Sequence, residues 1–308
     1  MRLLITGGSG FIGSNLARLA LARAHEVVVV DDLSNGYAAN IAGLDLTFHE
    51  GSVLDRDLLA TALGGADSVV HLAALGSVPR SLQDPLRSHH ANATGTLTLL
   101  EAARAADVSH VVASSSSSVY GMNPALPKNE REWVRPVSPY AVSKLAEEQY
   151  VLAYQQSFGL ETLAFRLFNV FGPRQMPGHA YSAVIPIFLD AILRGAPMPV
   201  HGDGTQSRDF TYVATVCSVL MDAVERRVTH PEPVNLAFGT NAPLTELISA
   251  IEDVTGLKAD VHHEPSRPGD VRASRADNTV LRSLFPDDQP VSLHQGLEET
   301  LSWFKDVS

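Results

Sequence analysis

Seven runs of apolar or β-branched residues punctuate the first 240 positions of the chain, at residues 3–6, 27–31, 46–49, 68–73, 110–114, 162–167 and 234–238. Segments of helical character separate most of them. A strand covered on both faces needs apolar residues at nearly every position, whereas a half-exposed strand alternates. The runs therefore predict a parallel, doubly wound sheet with crossover helices on each side, an α/β fold. From Phe168 the texture changes: Pro173, Pro177, Gly178, Pro186, Pro197, Pro199 and Gly202-Asp203-Gly204 break the rhythm around one predicted helix at 182–193. Beyond Ala242 the pattern predicts short helices, a strand at Val261 and a turn over 265–270. Residues 234–238 read as a strand returning to the sheet. The expected division is thus a larger Rossmann-type unit, residues 1–168 with about 211–240, and a smaller interleaved lobe, about 169–210 with 241–308. The only low-complexity stretch is the serine run at 114–118.

Composition narrows the class. With 45% apolar and 19% charged residues in 308, the chain can fill a large core, which excludes a disordered protein. The 23 basic against 34 acidic side chains give a net charge of −11, which argues against nucleic acid or an anionic membrane as partner. A single cysteine, Cys217, excludes an intramolecular disulfide and any multi-cysteine metal cluster. The adjacent pairs His89-His90 and His262-His263 lack the spacing that points two imidazoles the same way, so no metal is expected. The chain starts on an apolar strand and has no predominantly apolar stretch of about 18 residues, so a cytoplasmic protein is expected.

Thr6-Gly7-Gly8-Ser9-Gly10-Phe11-Ile12-Gly13 follows the first predicted strand and opens a helix. Glycines there make a tight turn and bring backbone N–H groups and the positive helix end against a pyrophosphate. A glycine-rich turn beside a capping Asp is the alternative. Context favours a dinucleotide, because the second strand ends in Asp31, placed to accept from the adenosine ribose hydroxyls. Its carboxylate would repel a 2′-phosphate, so NAD is expected rather than NADP.

Ser138-Pro139 reads as an N-cap followed by a first-turn proline, which puts Tyr140 and Lys144 one turn apart on one helix face. A free phenol titrates at about 10, and a nearby ammonium and a positive nicotinamide would bring it toward use as a general base. The spacing alone more often marks an exposed lysine beside a half-buried tyrosine. The serine run changes the balance, since it places hydroxyls just past the carboxyl end of an apolar strand, where doubly wound sheets bind ligands.

Together these residues resemble the extended short-chain dehydrogenase/reductase family, and within it the nucleotide-sugar 4-epimerases. The resemblance spans the chain through Thr6–Ser14, Asp31, His71-Leu72-Ala73-Ala74, Asn92, Gly95-Thr96, Val119-Tyr120-Gly121, Tyr140 and Lys144, Arg166, Phe168-Asn169, Arg208-Asp209-Phe210, Arg267 and Gly269-Asp270. It implies Tyr140 as base, Lys144 on the nicotinamide ribose, and Ser116 hydrogen-bonding the sugar O4. It implies Gly7, Gly10, Phe11, Ile12 and Gly13 at the NAD pyrophosphate, and Asp31, Asp32, Asn35 and Gly36 at the adenosine ribose. Ser52 and Val53 would meet the adenine, and Leu72, Ala73, Ala74, Asn92, Ser114 and Phe168 would complete the cofactor site. For a UDP-sugar substrate it implies Gly76, Ser77, Ser117 and Ser118 near the sugar, with Asn169, Arg208 and Arg267 on the diphosphate and Asp270 near the nucleoside ribose. Ala183, Val184, His201 and Ser274 would line the remainder. A homodimer is the family's usual assembly.

Departures from the family's pattern bear on the reaction. Ser52 stands where an acid is common, Thr215 where many members have Asp, and Gly76 where galactose-type epimerases carry Lys. The 4,6-dehydratases have an acidic pair at the positions of Ser117 and Ser118, and the decarboxylases a Glu at Ser118. Without those carboxyls dehydration lacks its acid and base, whereas epimerisation needs neither. A small residue at Ser274 resembles enzymes with room for a 2-acetamido group. Residues 76–81 and 183–186 are similar to bacterial N-acetylhexosamine epimerases. The expectation is a UDP-N-acetylglucosamine/UDP-N-acetylgalactosamine 4-epimerase, active also on UDP-glucose and UDP-galactose. A UDP-glucuronate or UDP-N-acetylglucosaminuronate epimerase is the alternative, with Arg80 or Arg174 taking the carboxylate that Met176 does not. A non-catalytic NAD sensor or scaffold is the reading from another class.

Overall fold

Six strands follow one another up to residue 167: β1 (Arg2–Thr6), β2 (Glu26–Asp31), β3 (Thr47–Glu50), β4 (Ser68–His71), β5 (His110–Ser116) and β6 (Glu161–Leu167). Short pieces β7 (Val170–Phe171), β8 (Met198–His201), β9 (Ser207–Arg208) and β10 (Thr211–Tyr212) come next, then β11 (Val234–Leu236), β12 (Ala242–Pro243) and β13 (Val261–Glu264). In the computed structural model, which describes residues 1–177, 183–265 and 273–307, the central sheet has the order β11-β6-β5-β4-β1-β2-β3. Every pair in it is parallel. Strand order reverses between β1 and β4, and their carboxyl ends leave the crevice in which such sheets bind ligands.

The helices explain why the strands are apolar throughout. On one face Leu3, Ile5, Val27, Val29, Val70 and Val112 pack with α1 (Phe11–Ala22) and, later in the chain, Val213–Glu225. On the other, Leu4, Val28, Val30, Val69, Val111 and Ala113 pack with α2 (Arg56–Ala62), Gly95–Ala105 and Pro139–Phe158. Successive side chains of one strand thus enter opposite cores. Two short helices, α3 (Val78–Gln83) and α4 (Pro85–His89), precede α5 (Gly95–Ala105) and α6 (Pro139–Phe158). Beyond them lie α7 (Val184–Arg194), α8 (Val213–Glu225), α9 (Leu244–Thr255), α10 (Thr279–Leu284) and α11 (Leu293–Val307). Three two-stranded pairs, β10 with β7, β12 with β9 and β13 with β8, stand outside the main sheet. Among the described residues no helix is long and apolar enough to cross a membrane.

Boundaries differ from the sequence pattern for local reasons. β4 stops at His71 because β1 turns away after Thr6, and the last rung is the Leu72 amide donating to Thr6 O at 3.1 Å. β5 continues to Ser116 because β6 offers partners as far as Leu167. β11 ends at Leu236, opposite that same Leu167. The predicted helix at 182–193 begins at Val184 with Ala183 as its N-cap, and Ser182 lies outside the described residues. The strand at Val261 is present and pairs with β8, while the turn predicted over 265–270 falls outside them from residue 266 onward. Thr215, where an Asp is common, accepts the Val291 amide at 3.1 Å, so the hydroxyl fastens the C-terminal segment to α8.

Candidate active site

The carboxyl ends of β1, β2, β4 and β5 open into one cleft of about 1060 Å³. Gly7 leaves β1 at φ +70°, and a Cβ on it would come within 2.7 Å of Ala73 N, so the backbone there passes too close to the β4 loop for any side chain. α1 then starts from Gly10 with no capping side chain and no acidic residue in its first turn. Its end faces the cleft as a bare donor set.

Asp31, at the tip of β2, is buried and accepts the Ser9 amide on Oδ2 and the Leu33 amide on Oδ1, both at 2.8 Å. Burial pushes its carboxyl above the usual aspartate range, against the pull of those amides. Asp32, Asn35, Gly36, Ser52 and Val53 line the same end of the cleft. Ser52 Oγ caps its own turn by accepting Leu54 N at 3.2 Å. Leu72, Ala73, Ala74, Gly76 and Ser77 line the wall formed by the loop after β4.

Two expected cofactor residues have fully buried side chains. Asn92, fully buried, does not line the cleft; its Oδ1 accepts Leu75 N at 2.7 Å and its Nδ2 donates to Ser143 Oγ at 2.8 Å. It clamps the cleft loop to α6. Phe168 is fully buried against Val119, Tyr120, Ala237 and Ala276, because β6 ends one residue earlier and the chain there turns inward. Its side chain is core.

At the other end of the cleft, Ser138 accepts the Ala141 amide at 3.1 Å and α6 begins at Pro139. Tyr140 and Lys144 occupy its first two turns, and both line the cleft together with Ser114, Ser116, Ser117 and Ser118. Ser116 Oγ accepts from Ser118 N at 3.1 Å and lies 2.9 Å from Ser118 Oγ. Behind the serines, Ser115 Oγ donates to Glu148 Oε2 at 2.7 Å, and Arg166 grips both oxygens of Glu148, at 2.9 and 2.7 Å.

Sequence reasoning missed Glu147. Lys144 Nζ donates to its Oε2 at 2.6 Å, with the two side chains 3% and 1% exposed. The second oxygen, Oε1, is buried without a partner. Desolvation, only partly offset by Lys144, pushes this carboxyl up to about 7. In a Lys-Leu-Ala-Glu-Glu run nothing but tertiary packing distinguishes this acid from a solvated one.

A second cavity of about 260 Å³ adjoins the cleft, and Asn169 and Ala183 line both. Val184, His201 and Arg208 line it with the apolar Ile187, Phe188 and Pro199. Asn169, at φ +26°, donates through Nδ2 to Asp209 O at 3.1 Å. Ser274 lines neither cavity, and its amide donates to Ser207 O. Arg267 and Asp270 lie outside the described residues.

The model of the NAD dependent epimerase/dehydratase family matches residues 3–237. The chain belongs to this family. It is 38% identical to a UDP-glucose 4-epimerase of Mycolicibacterium smegmatis, over the full length of both. Among solved structures it is similar to a UDP-N-acetylglucosamine 4-epimerase from Methanobrevibacter ruminantium in complex with UDP-N-acetylmuramic acid, with 37% identity, TM-score 0.94, and 100% and 99% of the two chains covered. A UDP-glucose 4-epimerase of Thermotoga maritima with UDP-glucose is similar at 33% identity and TM-score 0.94, covering 100% and 99%. The cofactor of the epimerase/dehydratase family is NAD, and the cleft fits it: a glycine-lined turn that admits no side chain, an uncapped helix end for an anion, and a buried carboxylate at the tip of β2.

Proposed function

We propose that the protein is an NAD-dependent UDP-sugar 4-epimerase, acting on UDP-N-acetylglucosamine and UDP-N-acetylgalactosamine and also on UDP-glucose and UDP-galactose. The observation that carries the reading is the makeup of the sugar end of the cleft: Tyr140, Lys144 and Ser116 share it with Ser117 and Ser118, and no carboxyl occupies those two positions. Hydroxyls there leave the elimination of water without an acid, while 4-epimerisation asks only for a base at O4 and a donor to the C4 oxygen.

Tyr140 takes the proton from O4 and later returns it. Ser116, which accepts the Ser118 amide, turns its own O–H toward that oxygen. Lys144 holds the cofactor ribose. A nicotinamide held beside Tyr140 and Lys144 would supply the reversible hydride acceptor for C4 that inversion requires. Inversion needs the sugar to turn, so binding energy must lie on the nucleotide. Asn169, Arg208 and His201 around the second cavity suit the nucleotide end, which leaves small side chains about the sugar.

Arg80 and Arg174, the candidates for a uronate carboxylate, donate to Asn35 and Asn15 and do not line the cleft, which favours the uncharged sugars. The division into residues 1–168 with about 211–240 for NAD and the remainder for the nucleotide sugar belongs to the same proposal, as does a cytoplasmic location. A homodimer is supported by the exposed apolar side chains Leu82, Leu86 and Val142 on the neighbouring helices α3, α4 and α6. Incubation with UDP-N-acetylglucosamine, followed by the anomeric protons in NMR, tests the reading. Appearance of the galacto epimer is expected; conversion of UDP-glucuronate with no change in the N-acetyl sugar would overturn it. Light scattering at protein concentrations bracketing the micromolar range reads the dimer.

A further inference from the structure

Lys144 lines the cofactor cleft, and its ammonium donates to Glu147, three residues along α6. The pair is nearly dry, and half of the carboxylate has no partner. A buried carboxylate with one oxygen unmatched is held ionised mainly by the neighbouring ammonium. Any acceptor in the cleft that draws Lys144 away removes that support.

The surroundings offer no substitute. On α6 itself Glu148 is the nearest charged neighbour, and it is committed to Arg166 of β6 and Ser115 of β5. From β4, His71 faces Lys144; burial and that ammonium push it down to about 3, so it is neutral. It is hydrogen-bonded to Thr6 and Thr96. On α5, Glu101 binds Arg104 and Tyr154. Tyr120, in the turn after β5, binds Asn235. Arg80 of α3 donates to Asn35, and His89 of α4 and the following His90 are exposed. Arg87 of α4 also lines the cleft and is exposed, and among the described residues Glu147 is bonded to no cation other than Lys144.

We propose that Glu147 is a proton-coupled positioning residue: it holds Lys144 while the cleft is empty, and takes a proton from solvent when Lys144 transfers its N–H donors to the ribose hydroxyls of NAD. This rests on the assignment of Lys144 to the cofactor. The carboxylate is already raised to about 7 with its lysine in place, so losing the lysine raises it further. Uptake is then expected at pH above about 7, where Glu147 is ionised before binding and protonated after it. By linkage, NAD affinity falls as pH rises through that window, by as much as about tenfold per pH unit.

The test is calorimetric titration of NAD into the NAD-free full-length protein near pH 8, in two buffers of different ionisation heat. Tyr140→Phe serves as the reference protein, so that no phenolic proton enters the count, and it is expected to take up a proton, approaching one per NAD bound. Glu147→Gln added to it is expected to lose that uptake and to bind NAD with an affinity nearly independent of pH. Lys144→Met, which has no ammonium to transfer, should lose it as well and serves if the glutamine variant does not fold. Binding by the Tyr140→Phe protein without proton uptake overturns the proposal, as does undiminished uptake when either further substitution is added. No sugar nucleotide enters the experiment. If the proton is taken up but the wild type fails to epimerise, the functional reading alone is lost.

Discussion

Ser115 Oγ reaches Glu148 Oε2 at 2.7 Å, and through that bond the tip of β5 is fixed to α6 and to Arg166 of β6. The serine that would face the substrate is its neighbour Ser116, so this bond sets the height of Ser116 relative to Tyr140. Arg166→Leu would leave Glu148 buried and uncompensated, and is expected to cost about 3–5 kcal/mol in urea unfolding. Arg166→Met combined with Glu148→Leu should recover most of that loss, because both charges of this buried pair are then gone. Turnover should not recover with it: Ser115 has lost its acceptor, and a misplaced Ser116 is expected to lower kcat by about tenfold to a hundredfold.

Tyr140→Phe removes the base while keeping the ring and the helix start. The expected result is a fall in kcat of about 10²–10⁴, with NAD still bound. Ser116→Ala removes one donor to the C4 oxygen and is expected to lower kcat by about a hundredfold. Steady-state rates with the cofactor content measured in parallel check both. An NAD sensor on this fold would instead give unchanged biological output for Tyr140→Phe.

Much of this site was legible because its signals are local. Gly7 to Gly13, Asp31 and Ser138-Pro139 each dictate backbone or capping geometry within a few residues, and each sits where its pattern placed it. The central strands were legible because both their faces are buried, which the uninterrupted Val27–Val30 run records directly, whereas the edge strand β3 is partly exposed. What failed to show were partnerships across the fold. Asn92 reads only as a cofactor contact, yet its side chain also clamps Leu75, and the ring of Phe168 packs into the core, since neither motif says which way a side chain points. Glu147 and Glu148 are adjacent acids, both buried, and one meets a lysine three residues back and the other an arginine 18 residues away. Sequence spacing carries no trace of that difference.

His71 supplies a pH dependence of stability. Thr96 Oγ1 donates to Asn92 O at 2.6 Å, so toward His71 it must accept, which assigns the proton to Nε2 and leaves Nδ1 to accept from Thr6. Burial pushes this imidazole down from about 6.5 to about 3. The unfolded chain therefore binds a proton that the folded one refuses, and stability is lost as pH falls from about 6.5 toward about 3, at up to about 1.4 kcal/mol per pH unit. His71→Gln cannot charge, and its urea midpoint should depend less steeply on pH in that interval. Equal slopes for variant and wild type would show that His71 is not the group responsible.

Asn92 uses both ends of its amide, Oδ1 for the Leu75 N–H and Nδ2 for Ser143 Oγ, with Leu75 O at 3.4 Å from the same nitrogen. Asn92→Asp keeps the acceptor and deletes the donor. The new oxygen then faces Leu75 O, and it faces a hydroxyl of Ser143 that already donates to Tyr140 O at 2.8 Å. A buried carboxylate so placed must protonate or turn away, at a cost of about 1–3 kcal/mol for the unmatched groups. Stability should therefore fall more at pH 8 than at pH 5, where the introduced carboxyl, once protonated, substitutes as a donor. Because the Leu75 loop carries Ala74 and Gly76 into the cleft, the variant should also release NAD more readily at pH 8. Cofactor content after gel filtration at the two pH values reads this directly, and equal retention at both would mean that the clamp does not shape the cleft.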